Sequence, residues 1–242
     1  MVNNISNFSK TLISVIVPVY NEEKVIAACL ENLTNQDFSK GKYEVIVINN
    51  ASNDNTANIA RKFRVNLIFE EKKGYNFAII RGFLEAKGDI VAITDADTIV
   101  PPDWLSKIYK AFKDSPELSL VGGRSIIRPK MFLSSISEFF INFSAGLIMK
   151  ISPSYNLAIR RDFYFSISGI NKNLELNLDT DLCLRAKKEG KTAFLWNNPV
   201  ITSSRHYKGL DGIKYCARGI INFISLKTSK KTLFKKMVDI RG

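Results

Sequence analysis

The chain has 242 residues, 45% of them hydrophobic and 11% aromatic, which excludes intrinsic disorder and low-complexity scaffolding and leaves ample length for a sizeable core. Its formal charge is +12, a balance that points to an anionic partner such as nucleic acid, a phosphorylated ligand or an acidic membrane surface. The excess is local: from Arg205 to Gly242 ten basic residues face two acidic ones, so +8 of the +12 falls in that stretch.

In chain order, Ile13–Val17 reads as a buried strand, followed by a helix from Glu22 to Leu33 with Ile26, Cys29, Leu30 and Leu33 on one face. Tyr43–Ile48 is a second strand, Asn49–Asn55 is turn chemistry, and Thr56–Phe63 a short helix. Val65–Phe69 is a third strand, Gly74–Ala86 a helix, and Ile90–Thr94 a fourth strand. This alternation predicts βαβ units, hence an α/β single domain with a mostly parallel central sheet flanked by helices. The domain is expected over residues 1–208, its first half about 12–105 and its second about 120–208. Residues 209–242 form a basic, amphipathic helical extension.

Three cysteines, Cys29, Cys183 and Cys216, are odd in number and widely spaced, which fits a reducing, cytoplasmic setting better than a disulfide framework. The polar MVNNISNFSK start predicts no signal peptide, and no run supplies the ~20 apolar residues of a spanning helix. Met131–Met149, flanked by Lys130 and Lys150, reads as an amphipathic helix, either buried in the core or lying in a lipid interface. Ile213, Cys216, Ala217, Ile220 and Ile224 share a second helical face, with Lys214 and Arg218 opposite, before the basic run Lys227–Lys236. Either that helix packs on the domain with a solvated basic face or it meets an anionic membrane surface.

In open α/β sheets ligands bind beyond the carboxyl ends of the strands. Polar clusters stand there: Tyr20-Asn21-Glu22, Asn49-Asn50 and Asp95-Ala96-Asp97. Asp95 and Asp97, two apart on an extended exit, project to one side. Two anions so placed suit a hard divalent ion, Mg²⁺ or Mn²⁺, which bridges to a diphosphate. The alternative is a pair of acids that merely solvates and caps a loop.

Taken together, VIVPVYNEE (15–23), YEVIVINNASNDNT (43–56), GDIVAITDAD (88–97), PPDWL (101–105) and DTDLCLRAKKEG (179–190) resemble the family 2 glycosyltransferases, across roughly residues 12–206. The resemblance implies a GT-A fold, a nucleotide-diphosphate sugar donor, a divalent metal and an inverting transfer to a lipid-linked or glycan acceptor hydroxyl.

Carried over residue by residue, it puts Pro18, Tyr20 and Glu22 at the nucleotide, with Tyr20 stacking and Glu22 on the ribose. Asn50 stands where the family usually has Asp, so the amide oxygen takes over as acceptor without the charge. Gly74–Gly82 departs from the family's Arg-Asn pattern, and Arg81 is the displaced cationic candidate. Within Asp95-Ala96-Asp97, Asp95 serves the sugar-nucleotide and Asp97 the ion. Asp179 falls at the catalytic-base position, with Leu178 replacing a preceding acid and Asp181 in support; read from the residues alone, Asp181 and Arg185 make an i, i+4 ion pair. Asn156 lies on the acceptor side. Arg205 is the diphosphate contact and His206 either a metal ligand or an ordinary lone histidine.

Two rival classes remain. A nucleotidyltransferase also uses acids and Mg²⁺ at a sheet edge, yet residues 17–24 lack a Gly-rich basic phosphate loop. A non-catalytic nucleic-acid-binding protein would interleave aromatics with its basic residues, and this tail shows no such motif.

Overall fold

The computed structural model describes residues 11–143, 146, 152–174, 176–229 and 233. Eight strands form one mixed sheet: β1 (Ile13–Val19), β2 (Tyr43–Asn49), β3 (Asn66–Phe69), β4 (Ile90–Ile93), β5 (Thr98–Ile99), β6 (Leu118–Arg128), β7 (Leu157–Arg160) and β8 (Lys191–Ser203), in the order β3-β2-β1-β4-β7-β6-β8-β5. The first four pair in parallel, as their helical crossovers predict. Beyond β4 the direction alternates. β7 runs antiparallel to both β4 and β6, β8 parallel to β6, and β5 antiparallel to β8. The expected mostly parallel sheet is therefore a parallel half joined to a mixed half.

The helices are α1 (Ile26–Thr34), α2 (Thr56–Ala60), α3 (Tyr75–Glu85), α4 (Trp104–Asp114), α5 (Phe132–Phe140), α6 (Arg161–Ser166), α7 (Leu178–Glu189) and α8 (Gly209–Ser229). Every residue of β1 is buried, because helices cover both faces of the sheet. Period-two alternation divides its side chains: Ile13, Val15, Val17 and Val19 pack with α1 and α4, while Ile16 packs with Phe83 of α3 and Leu182 of α7.

The first helix begins four residues later than Glu22, since residues 22–25 are a turn in which the Val25 and Ile26 amides donate to Glu22 O. That turn keeps Glu22 at the end of the sheet. Within Met131–Met149, α5 covers Phe132–Phe140 and a wider helical turn continues it through 141–143; residues 144, 145 and 147–151 lie outside the described residues. Of the basic run Lys227–Lys236, the residues beyond 229 other than Leu233 do as well. No helix among the described residues is long and apolar enough to cross a membrane.

Candidate active site

The loops leaving β1 and β2 are laced together. Asn21 N donates to Ser52 Oγ, Glu22 N to Thr56 Oγ1 at 2.8 Å, and Glu23 N to Asp54 Oδ2. Burial works against the Asp54 carboxylate, yet the Thr56 hydroxyl and the Thr56 and Glu23 amides hold its pKa below the ordinary value. Asn21 and Ala51 take positive φ values of 53° and 61° to make these turns.

Beside them opens a cleft of about 250 Å³ lined by Pro18, Tyr20, Asn50, Lys73, Gly74 and Tyr75, among others. Three of the expected nucleotide residues, Pro18, Tyr20 and Asn50, therefore share one wall. Lys73 Nζ lies 5.4 Å over the Tyr20 ring, a cation on an aromatic face. Arg81 is absent from that lining; it sits on α3 with its Nε 2.8 Å from Glu85, one turn on.

Asn50 is nearly buried and its amide is engaged on both sides. Nδ2 donates to Glu70 O (3.1 Å) and Lys72 O (2.7 Å), and Oδ1 accepts from Gly74 N (2.8 Å). An aspartate could make only the third of these bonds. The amide thus fastens the 70–74 loop along the cleft. Gly74 is fixed there by its φ of +139°, and a Cβ on it would come within 2.5 Å of Asn76 Oδ1.

At the exit of β4, the Tyr75 hydroxyl donates to Asp95 Oδ1 at 2.7 Å and exchanges a hydrogen bond with Ser154 Oγ at 2.9 Å. Ser154 N in turn donates to Asp179 Oδ2 at 3.1 Å, and Thr180 N to Asp179 Oδ1 at 2.8 Å. Tyr75 and Ser154 thereby join the carboxylate of one sheet half to that of the other. Burial, then the neighbouring Asp97 charge, pushes Asp95 up to about 7; the Tyr75 bond and Arg205 pull the other way. Burial also raises the Asp179 carboxyl above the usual range, against the Thr180 and Ser154 amides. Ala96, between the two acids, is packed in the core.

Arg205 closes the site. Its Nη1 and Nη2 donate to Glu22 Oε2 and Oε1 at 2.6 and 2.7 Å, and its Nε stands 2.9 Å from Asp97 Oδ2. Hydrogen bonding by Glu22 and the charges of Asp97, Glu22 and Asp95 outweigh the burial that opposes its cationic form. The expected ribose contact and the expected diphosphate contact therefore bind each other.

The remaining expected residues sit around this centre. Asp181 receives Arg185 Nε and Nη2 at 3.0 and 2.7 Å, and Nη2 also donates to Gly169 O, so the pair holds the loop before α7. Asn156 faces the interior rather than a cleft: its Oδ1 accepts from Trp104 Nε1, and its Nδ2 donates to Arg124 O and Asn198 O. His206 stacks on Tyr215 with centroids 5.1 Å apart. It does not complete a three-ligand set, for among the described residues no three His, Cys, Asp or Glu side chains gather as one.

A divalent cation nevertheless suits the donors present. Asp95 and Asp97 offer hard carboxylate oxygens, and burial and then the Asp97 charge disfavour the Asp95 anion, which a cation would relieve. With two protein ligands, the remaining positions would fall to water and a ligand's own oxygens.

Tyr75, Ser154 and Lys73 were not among the expected residues. Tyr75 is the second residue of the Gly74–Gly82 stretch and Ser154 lies two before Asn156, so both were within sight of the motifs; no spacing rule marks their role.

The chain spans 66% of a Methanococcus voltae relative named dolichyl N-acetyl-alpha-D-glucosaminyl phosphate 3-beta-D-2,3-diacetamido-2,3-dideoxy-beta-D-glucuronosyltransferase, at 30% identity over 225 residues, 79% of this chain. It matches 33% of the length of a Pyrococcus furiosus dolichol-phosphate mannosyltransferase, at 33% identity over 119 residues, 47% of this chain. Its fold matches Staphylococcus aureus TarS in complex with UDP-GlcNAc, with a TM-score of 0.68 at 20% identity, covering 93% of this chain and 68% of that one. It also matches the mannosyltransferase PcManGT from Pyrobaculum calidifontis in complex with GDP-Man and Mn²⁺, with a TM-score of 0.64 at 24% identity, covering 78% and 56%. These neighbours establish the GT-A fold. The glycosyl transferase family 2 profile matches residues 14–169, well over half the chain, and the protein belongs to that family.

Proposed function

We propose that the protein is an inverting glycosyltransferase that moves a sugar from a nucleoside diphosphate to an acceptor hydroxyl, lipid-linked or on a glycan. The observation that supports this reading is the hydrogen-bonded path Asp95–Tyr75–Ser154–Asp179, which links the acid we assign to the donor with the acid we assign as base. The cleft of Pro18, Tyr20 and Asn50 receives the nucleoside, with Tyr20 as the stacking surface. Relatives named for dolichol-linked substrates and neighbours solved with nucleotide sugars support the same assignment.

Asp179 takes the acceptor proton as the hydroxyl oxygen bonds the anomeric carbon; the carbon–phosphate oxygen bond breaks and the nucleoside diphosphate leaves from the opposite face. Its raised pKa makes it a stronger base than an exposed aspartate. Asp97 and Asp95 would hold a divalent cation, which supplies charge neutralisation to the departing diphosphate. Arg205, held by Glu22 and Asp97, is the cation we assign to the diphosphate, a role its guanidinium suits.

The test is a panel of nucleotide sugars with Mn²⁺ or Mg²⁺, following nucleoside diphosphate release with and without EDTA. Release that depends on metal and is lost in Asp97→Ala is expected. Indifference to EDTA, or full activity in that variant, would reject the metal role.

A further inference from the structure

We propose that α5 and α8 together form a docking face for an anionic lipid bilayer. Both helices turn an apolar stripe outward, whereas the apolar stripe of a water-facing helix belongs on the core. On α5 the buried residues are polar: Ser134 is fully enclosed and Glu138 nearly so. Glu138 Oε2 accepts from Ile127 N, and Asn142 in the following turn bonds Ser125 through both Oδ1 and Nδ2. The outward stripe at helical spacing is Phe132, Ile136, Phe139, Phe140 and Phe143, with Phe132 81% exposed.

α8 shares this inversion in part. Asn222 and Ser225 are buried together with Leu226, while Leu210, Ile213, Ile220, Ile221 and Ile224 face outward, Leu210 at 74% exposure. The helices lie side by side, with Ser137 Oγ 3.5 Å from Cys216 Sγ. An apolar surface spread over two neighbouring helices marks an interaction site rather than ordinary surface scatter.

Charge selects the occupant. Lys130 and Lys208 flank the two helices, and α8 carries Lys214, Arg218 and Lys227 against one acid, Asp211, which lies 3.4 Å from Lys214 Nζ. The α5 acid, Glu138, is turned inward and bound by Lys130 Nζ at 3.0 Å. Outward phenylalanine and isoleucine with a basic rim are the two signals that hold a helix at the headgroup–acyl boundary of an anionic membrane. The further basic excess of the sequence beyond residue 229 has the same sign.

The face also borders the site. α8 leaves directly from the Arg205–Tyr207 turn, and Asn177 Nδ2, just before the helix that carries Asp179, donates to Gly219 O of α8 at 3.4 Å. Docking here, taken with the glycosyltransferase reading, brings the acceptor side of the site to the lipid surface where a lipid-linked hydroxyl resides. The docking itself stands apart from the catalysis, so the two can fail separately.

The test is flotation of the full 242-residue chain with phosphatidylcholine vesicles, with and without phosphatidylglycerol. The chain is expected to float with the anionic vesicles and not with phosphatidylcholine alone. Phe139→Asp with Ile220→Asp, both exposed and checked for unchanged circular dichroism, should abolish flotation. Lys208→Gln and Lys214→Gln should each lower the partition coefficient about fivefold. Flotation of the double aspartate variant at the native level would overturn the proposal. So would a dimer in sedimentation velocity that persists with vesicles and is lost in that variant, which would give the face to a second copy. Absence of sugar transfer with intact flotation would overturn the catalytic reading instead.

Discussion

Arg205 holds Glu22 by both carboxylate oxygens across 183 residues of chain, at 2.6 and 2.7 Å. The Glu22 side chain is 5% exposed, so its charge has no recourse to water if the guanidinium is removed. Loss of one partner of such a pair costs more than loss of both. Arg205→Ala is therefore expected to lower unfolding free energy in urea by about 3 kcal/mol, and Glu22→Gln with Arg205→Ala to recover a large part. Equal losses in the single and double variants would show that the pair contributes nothing beyond packing.

Asn50 supplies a second contrast. Asn50→Asp restores the residue type usual in the family but sets a carboxylate against the carbonyls of Glu70 and Lys72. The expected cost is about 1–3 kcal/mol in stability, with weaker nucleoside diphosphate binding by calorimetry as the 70–74 loop loosens. Tighter binding in the aspartate variant would show that the residue acts on the base directly.

Tyr75→Phe removes one oxygen and leaves Asp95 Oδ1 and Ser154 Oγ without their shared partner. We expect a stability loss of about 1–2 kcal/mol by denaturant unfolding and a fall in turnover larger than any change in donor KM. A change confined to KM would place Tyr75 in donor binding alone.

The pH profile tests Asp179. A base must be ionised to accept a proton, and burial raises this carboxyl. Turnover should therefore fall as pH drops, with an acid-limb pKa above the ordinary aspartate value. Asp179→Asn should bind nucleoside diphosphate normally yet lose transfer at every pH; an unchanged acid limb with retained transfer would remove Asp179 from the proton path.

The parallel half of the fold was legible because each buried strand and amphipathic helix carries its own period, as Val15 and Val17 against Ile16 illustrate. The antiparallel insertion of β7 was not, since its four residues carry no sign of which strands will flank them. Acids at a strand end drew attention to Asp95 and Asp97, and the family resemblance to Asp179 in the first turn of α7. What each side chain bonds depends on partners distant in sequence: Asn156 turned out to satisfy Trp104 and two backbone carbonyls inside the domain. Arg205 was marked as an anion binder, but the anions it holds here are the protein's own. The faces of α5 and α8 were readable as amphipathic, not as to which side turns outward; for α5, period alone is blind to the strand end that claims the polar side.

That strand end has a consequence of its own. β7 accompanies β6 only through Leu120–Gly122, and past that point Ser125 and Ile127 find Asn142 and Glu138 where a neighbouring strand would otherwise run. α5 thus acts as a surrogate strand made of side chains. It shields the sheet from adding a foreign strand, and it cannot peel away without opening that seam. The backbone that carries its phenylalanine row is thus tied to the sheet before any contact is made, so a binding partner need order only the side chains.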